Sequence, residues 1–380
     1  SAASDVYKRQ MTTEIKIKPN IIAFYLPQYH TIPENDEWWG KGFTDWVNVK
    51  NAGPLFDGHM QPRIPLNNNY YDLSTVEAIR WQARLARQYG VDGFCIYHYW
   101  FNGKLLLEKP AEILLANKDI DISFCFSWAN EPWARTWDGK AHQILIAQSY
   151  GNATDWKRQF EYLLPFFRDD RYMKIDSAPV FVIYKSQSIP CAAEMMDYWN
   201  TLATEAGFNG IHFVETLRDG HTDKRNLPFR SKVEFEPANI LNSISTARLY
   251  CDRLRRAVIG LTNRLTGREM LRNPIMHFGD IAHKALCAHS PAGTWGGAFV
   301  GWDNTPRKRL NGTIILPPTK EEFKTYLKAK IAKTLNVYKT NYIFINAWNE
   351  WAEGTMLEPE ETAKYQYLEA IKEIKEEIQP

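Results

Sequence analysis

At 380 residues, with 44% hydrophobic and 24% charged side chains, the chain has the composition of a globular protein able to bury a large core, which excludes long disorder. Its formal charge of +2 excludes the dense basic face that a nucleic-acid binder needs. The unusual quantity is aromatic: 14 Trp, 19 Tyr and 19 Phe, many beside His, Asn, Asp or Glu. Ring faces that cover the C–H face of a sugar, with polar neighbours to bond its hydroxyls, suit a glycan cleft; a well-packed core would account for about half of them.

Residues 1–10, before Met11, read as a non-native or disordered segment outside the fold. From residue 20 onward, short apolar or aromatic runs recur, each followed by a polar-aromatic cluster and then a helix-period segment. There are eight such runs: 21–26, 93–98, 122–127, 179–184, 211–215, 232–236, 297–301 and 342–347. Helices are predicted between most of them, notably 74–89 with Asp72 and Ser74 as candidate caps, 154–168 opening after Asn152, and a final amphipathic helix over 361–378. Eight parallel strands alternating with helices close more naturally than they lie open, so residues 20–380 read as a single (β/α)₈ TIM barrel. The segment 237–296, between strands 6 and 7, reads as a helical insertion that forms a lid or side wall. Its arginines (Arg248, Arg253, Arg255, Arg256, Arg264, Arg268, Arg272) suit a solvated face, or contact with anionic lipid or an anionic sugar.

Five cysteines lie far apart without a C-x-x-C pair, which argues against zinc, and an odd count fits a reducing compartment. No secretory signal and no apolar run of about 18 residues is found. The expectation is a soluble cytoplasmic chain, with peripheral contact at the inner membrane face left open, and no metal, cofactor or nucleic-acid partner.

A barrel's chemistry gathers after the carboxyl ends of its strands. The first run is followed by Tyr29 and His30; the second delivers Tyr97, His98, Tyr99 and Trp100; the third delivers Trp128, Asn130, Glu131 and Trp133, with Arg135 and Trp137 behind. Glu215, Glu234 and Glu236 end the fifth and sixth, Trp302 and Asp303 follow the seventh, and Asn349, Glu350, Trp351 and Glu353 follow the eighth. Glycosidic bonds need two carboxyl groups, one protonated and one ionised. Glu350 and Glu353, three apart, share a face if the backbone turns helically, and burial with mutual repulsion would then keep one of them protonated. The plainer reading of Asn-Glu-Trp is a helix start with a favourable Glu. Glu131, in Trp-Ala-Asn-Glu-Pro-Trp, is the competing carboxylate, for catalysis or for a sugar hydroxyl. Tyr29, His30, Tyr97, His98, Trp100, Trp128, Asn130, Trp133, Trp302, Asp303, Asn349 and Trp351 are candidate substrate contacts; Asp303 reads equally as a turn former.

Several of these segments are long enough to carry a resemblance. Ala-Phe-Tyr-Leu-Pro-Gln-Tyr-His (23–30), Trp-Trp-Gly-Lys-Gly-Phe-Thr-Asp-Trp (38–46), Gly-Phe-Cys-Ile-Tyr-His-Tyr-Trp-Phe (93–101), Trp-Ala-Asn-Glu-Pro-Trp (128–133) and Asn-Glu-Trp-Ala-Glu-Gly-Thr (349–355) resemble the WbsX family, glycosyltransferases of bacterial O-antigen and capsule biosynthesis. That family is similar to glycoside hydrolase family 99, the endo-α-mannosidases, which are (β/α)₈ barrels with an Asn-Glu-Trp-x-Glu-Gly-Thr motif on the last strand. The resemblance implies that Glu350 is a base and Glu353 the general acid, the base deprotonating the sugar's own 2-hydroxyl to give a 1,2-anhydro intermediate and net retention. Ala352 stands where those hydrolases usually carry His, which sets mannosidase specificity apart from what is implied.

Three readings follow. A glycosidase or transglycosidase would use the glutamate pair on an oligosaccharide. A nucleotide-sugar transferase would need a pyrophosphate site, and no Gly-rich phosphate loop is present. A glycan-binding barrel would have lost catalysis.

Overall fold

The computed structural model describes residues 17–135, 143–243 and 246–378; residues 1–10 and Trp137 lie outside the described residues. Eight strands form a closed parallel barrel: β1 (Asn20–Tyr25), β2 (Gly93–Phe101), β3 (Ser123–Trp128), β4 (Ala178–Ile183), β5 (His212–Leu217), β6 (Ser231–Glu234), β7 (Thr294–Phe299) and β8 (Tyr342–Asn346). Closure comes from β1, whose Ile22 sits opposite Gly93 of β2 on one side and Phe344 of β8 on the other. All eight sequence runs are barrel strands, so the expected (β/α)₈ TIM barrel is the observed fold.

The long helices are α1 (Val76–Gln88), α2 (Lys109–Ala116), α3 (Ala153–Phe167), α4 (Ala192–Glu205), α5 (Thr246–Thr266), α6 (Phe278–Cys287), α7 (Lys320–Lys333) and α8 (Gln366–Ile378). Neither expected cap opens α1. Asp72 instead closes the preceding turn, accepting from Ser74 N, and the Thr75 hydroxyl accepts from Ala78 N. Asn152 does cap α3, in a reciprocal box with Asp155. The β5–β6 connection, residues 218–230, holds no helix, whereas the β6–β7 connection holds α5 and α6.

Strand β7 begins three residues earlier than its apolar run, at Thr294, and so takes in Gly296 beside Gly297. A Cβ on Gly297 would lie 2.1 Å from the Glu234 carbonyl of β6, and one on Gly296 would meet the Thr334 hydroxyl after α7. The barrel interior is packed with rings: Phe24 lies 5.0 Å from Phe235, 5.6 Å from Phe344 and 6.0 Å from Tyr97, and Trp295 stacks on Phe344 at 5.2 Å. These rings fill the barrel, so a ligand must sit at one end of it.

Candidate active site

That end is the carboxyl one. A cleft of about 500 Å³ is lined by Tyr97 and Tyr99 from β2, Glu131 and Trp133 after β3, Tyr184 after β4, Arg218 after β5, Phe235, Leu241 and Asn242 after β6, Trp302, Asn304 and Lys308 after β7, and Glu350 and Glu353 after β8. Seven of the eight strand ends contribute. Burial holds the Tyr97, Tyr99 and Tyr184 phenols above their ordinary value, with Glu350 adding to the effect, so they present O–H donors to the cleft.

The segment after β8 is a tight hairpin. Asn349 pairs with Met356 and Glu350 with Thr355, and Trp351–Glu353 form one 3₁₀ turn closed by Gly354 at φ +59°. A 3₁₀ turn aligns positions three apart, which brings both glutamates to one side. Gly354 suits its place twice over, since the backbone is left-handed there and a Cβ would lie 2.9 Å from that of Asp303.

Both carboxylates meet one guanidinium. Arg307 donates through Nη1 to Glu353 at 2.7 Å and through Nη2 to Glu350 at 3.3 Å, and Nη2 also reaches Asp45 at 2.6 Å. Asp45 is buried at the start of a short helix, Asp45–Lys50, whose first amide donates to Gln28 O. One cation thus faces three carboxyl groups. Burial, and then the neighbouring Glu353, push Glu350 up to about 8; burial also raises Glu353, and Arg307 pulls both back. Two adjacent carboxyls in this setting retain one proton between them near neutral pH.

The hairpin rests on a polar scaffold. Asn349 accepts from Leu26 N at 2.8 Å and donates to Leu26 O at 2.9 Å, tying it to the end of β1. Tyr29 donates to Asn349 O at 2.6 Å and accepts from Trp351 N, while the Trp351 indole donates to Glu358 at 2.7 Å. Asn349, Tyr29 and Trp351 therefore hold the turn from beneath and do not line the cleft.

Strand alternation sorts the other candidates. Tyr97 and Tyr99 face inward, so His98 and Trp100 face outward. His98 packs against Phe126, Phe181 and Tyr162 and bonds Gln159 of α3, and its burial depresses it to about 3, away from any sugar. Trp128 is buried with its indole on Trp100 O. The Asn130 side-chain amide donates to Lys185 O and accepts from Lys185 N, and His30 is buried on Pro27 O. Asp303 is buried and accepts from His59, Gln61 and Thr305, so it fixes the turn that leads to Arg307. Of the residues named from sequence, Tyr97, Tyr99, Glu131, Trp133, Trp302, Glu350 and Glu353 line the cleft.

Glu131 faces cations, Lys185 at 2.9 Å and Arg218 at 3.4 Å, and no partner carboxyl among the described residues. Glu215 is bound to Lys232, and Glu234 to Lys330 and Tyr338, which removes both from the cleft. Arg307 and Asp45 were missed as site residues. Each lies in a segment already notable in sequence, Gly-Trp-Asp-Asn-Thr-Pro-Arg and Trp-Trp-Gly-Lys-Gly-Phe-Thr-Asp-Trp, but nothing in the sequence ties either charge to the two glutamates. An Asp-x-Asp triplet, Asp119-Ile120-Asp121, precedes β3 at the opposite end of the barrel, where Arg80 and Arg87 pair with its acids.

The fold and the cleft define a (β/α)₈ barrel with a carboxyl pair at its mouth. A family model described as Glycosyltransferase WbsX matches residues 21–371, and the chain belongs to that family. It is 35% identical over 375 residues to a protein of Xanthomonas campestris pv. campestris described as uncharacterized protein WxcX, and 36% identical over 355 residues to its counterpart in a second strain. The matches cover 98% and 93% of this chain but 52% and 49% of those proteins, so the chain spans about half the length of the curated relatives it matches. Among solved structures, a family 99 endo-α-mannosidase from Bacteroides thetaiotaomicron superposes with a TM-score of 0.54 at 15% identity, over 94% of this chain and 97% of that one. A chain described as a glycoside hydrolase-like protein gives 0.56 at 13%, over 97% and 96%. At these identities the likeness is one of fold.

Proposed function

We propose that residues 20–380 form a single catalytic domain, a carbohydrate-active enzyme that acts on glycosidic bonds of bacterial surface-polysaccharide oligosaccharides, O-antigen or capsule, through the Glu350–Glu353 pair. The observation that carries this reading is the pair itself: two carboxyls on one hairpin turn, sharing Arg307, in a cleft walled by Trp133, Trp302 and three tyrosines. A sugar ring stacks on the indoles, and the phenols and Glu131 bond its hydroxyls.

The chemistry we assign is retaining. Glu350 takes the proton of the sugar's 2-hydroxyl as that oxygen attacks its own anomeric carbon, and Glu353 protonates the departing glycosidic oxygen. Water, deprotonated by Glu353, then opens the 1,2-anhydro sugar at the anomeric carbon while Glu350 returns the proton to the 2-oxygen. Burial by itself favours a proton on Glu350. A sugar hydroxyl donating to Glu350 favours its ionised form and moves the shared proton to Glu353, the more exposed partner at 22% against 7%.

Transfer is the second reading, favoured by the family's description as glycosyltransferases. Incubating the wild type, Glu350→Gln and Glu353→Gln with α-linked bacterial oligosaccharides, with and without nucleotide sugars, and weighing the products by mass spectrometry, separates the two. Sugar released without a donor, and lost in either variant, supports the hydrolase. Product growth only with a donor supports transfer and overturns the hydrolytic reading. Binding without any product in the wild type leaves a glycan-binding barrel and overturns both.

A further inference from the structure

Helix α5 carries a row of side chains that the cleft does not use. Leu254, Val258, Leu261 and Leu265 are 69, 56, 58 and 75% exposed. They recur at i, i+4, i+7 and i+11 and so form one stripe along the helix. Single exposed leucines are ordinary, but a contiguous row marks a surface that something covers.

The charge beside the stripe identifies what. At about 100° per residue, Arg253 and Arg264 lie on one flank and Arg255 on the other, each about a quarter-turn to a third of a turn from the leucines. All three are exposed. The helix has a single acid, Asp252, on the face away from the stripe. A second copy of α5 laid on the first would set arginine against arginine on both flanks, whereas an anionic surface satisfies the flanks while the leucines leave water.

The placement agrees. The segment before α5 supplies Leu241 and Asn242 to the cleft wall. After α5, Arg272 N donates to Leu310 O at 2.9 Å, and the Asn273 amide donates to Asn311 O and Gly312 O at 2.9 Å, on the loop that carries Arg307. Residues 241–242 before the helix and 272–273 after it therefore lie beside the mouth of the barrel. No helix among the described residues is long and apolar enough to cross a membrane.

We infer that α5 docks the protein on an anionic phospholipid bilayer, the leucine stripe entering the acyl boundary and the flanking arginines meeting the headgroups. This rests on α5 alone and stands apart from the chemistry assigned to the glutamates.

The test is co-sedimentation with vesicles of phosphatidylcholine, alone or mixed with phosphatidylglycerol, comparing the wild type with Leu254→Ser/Leu261→Ser and with Arg253→Glu/Arg255→Glu. The altered side chains are exposed, and circular dichroism checks that the fold persists. The wild type should sediment with the mixed vesicles and not with phosphatidylcholine alone, and each double variant should bind at least about 10-fold more weakly, as should the wild type in high salt. Wild type that stays in solution, or variants that bind as it does, would overturn the inference. So would failure to bind combined with a dimer in sedimentation velocity that the serine variant abolishes, since the stripe would then cover a second copy.

Discussion

Replacing Glu350 by Gln should stabilise the protein at alkaline pH and leave it unchanged at acid pH. Burial and Glu353 raise this carboxyl from an ordinary 4.5 to about 8, so between those values the folded state holds a proton that the unfolded chain has released. Stability therefore falls as pH rises through that window and levels off above about 8. Glutamine is close in shape to the protonated acid and does not ionise, so the variant escapes the loss. A shift of this size corresponds to a difference on the order of 3–5 kcal/mol above pH 8. For a chain of this length that is about 5 °C in melting temperature. Thermal unfolding of both proteins between pH 5 and pH 9, followed by circular dichroism, reads it directly: the curves should coincide at the acid end and separate as pH rises. Melting curves that run parallel across the whole range would show that Glu350 ionises normally, and the shared-proton account of the pair would fail.

Replacing Arg307 by Met leaves Asp45 buried without a cation, so the urea midpoint should fall by the equivalent of about 3–5 kcal/mol. The same change removes the charge that favours ionisation of both glutamates, so the pH-dependent loss of stability should move to higher pH. Replacing Trp133 by Ala removes a stacking wall of the cleft and should raise KM for an oligosaccharide about 10-fold, the equivalent of about 1–2 kcal/mol, with kcat within a few-fold; an equal fall in kcat would place Trp133 closer to the reacting bond than the cleft geometry does.

The barrel was legible because most of its strands are near-continuous apolar or aromatic runs, the signature of strands buried on both faces, with β6, Ser-Lys-Val-Glu, the most polar of them. Two features were not. Gly296, outside the apolar run, has low strand propensity and fits β7 because the Thr334 hydroxyl after α7 and Ile343 of β8 approach too closely for a side chain. The missing helix between β5 and β6 follows from a connection of ordinary loop composition that still spans parallel neighbours. At the site, listing every residue after a strand ignored the two-residue period that sends Tyr97 and Tyr99 inward and His98 and Trp100 outward. Asn349, Trp351, Tyr29 and Asp303 look like sugar contacts in sequence because polar and aromatic groups suit either a ligand or a buried hydrogen-bond network. Only their partners, Leu26, Glu358, the Asn349 carbonyl and His59, decide between the two. Arg307 joins a pair more than 40 residues later in the chain and needed the folded molecule to be found.

The central claim is that Glu350 and Glu353 act as base and acid on one glycosidic bond. It is tested most directly by comparing kcat/KM of the two glutamine variants on an oligosaccharide substrate and on a dinitrophenyl glycoside of the sugar released. A leaving group that needs no proton bypasses the acid and not the base. Glu353→Gln should lose activity on the oligosaccharide and keep most of it on the aryl glycoside, while Glu350→Gln should lose both. Equal losses on the two substrates for both variants, or full activity in either, would contradict the assignment.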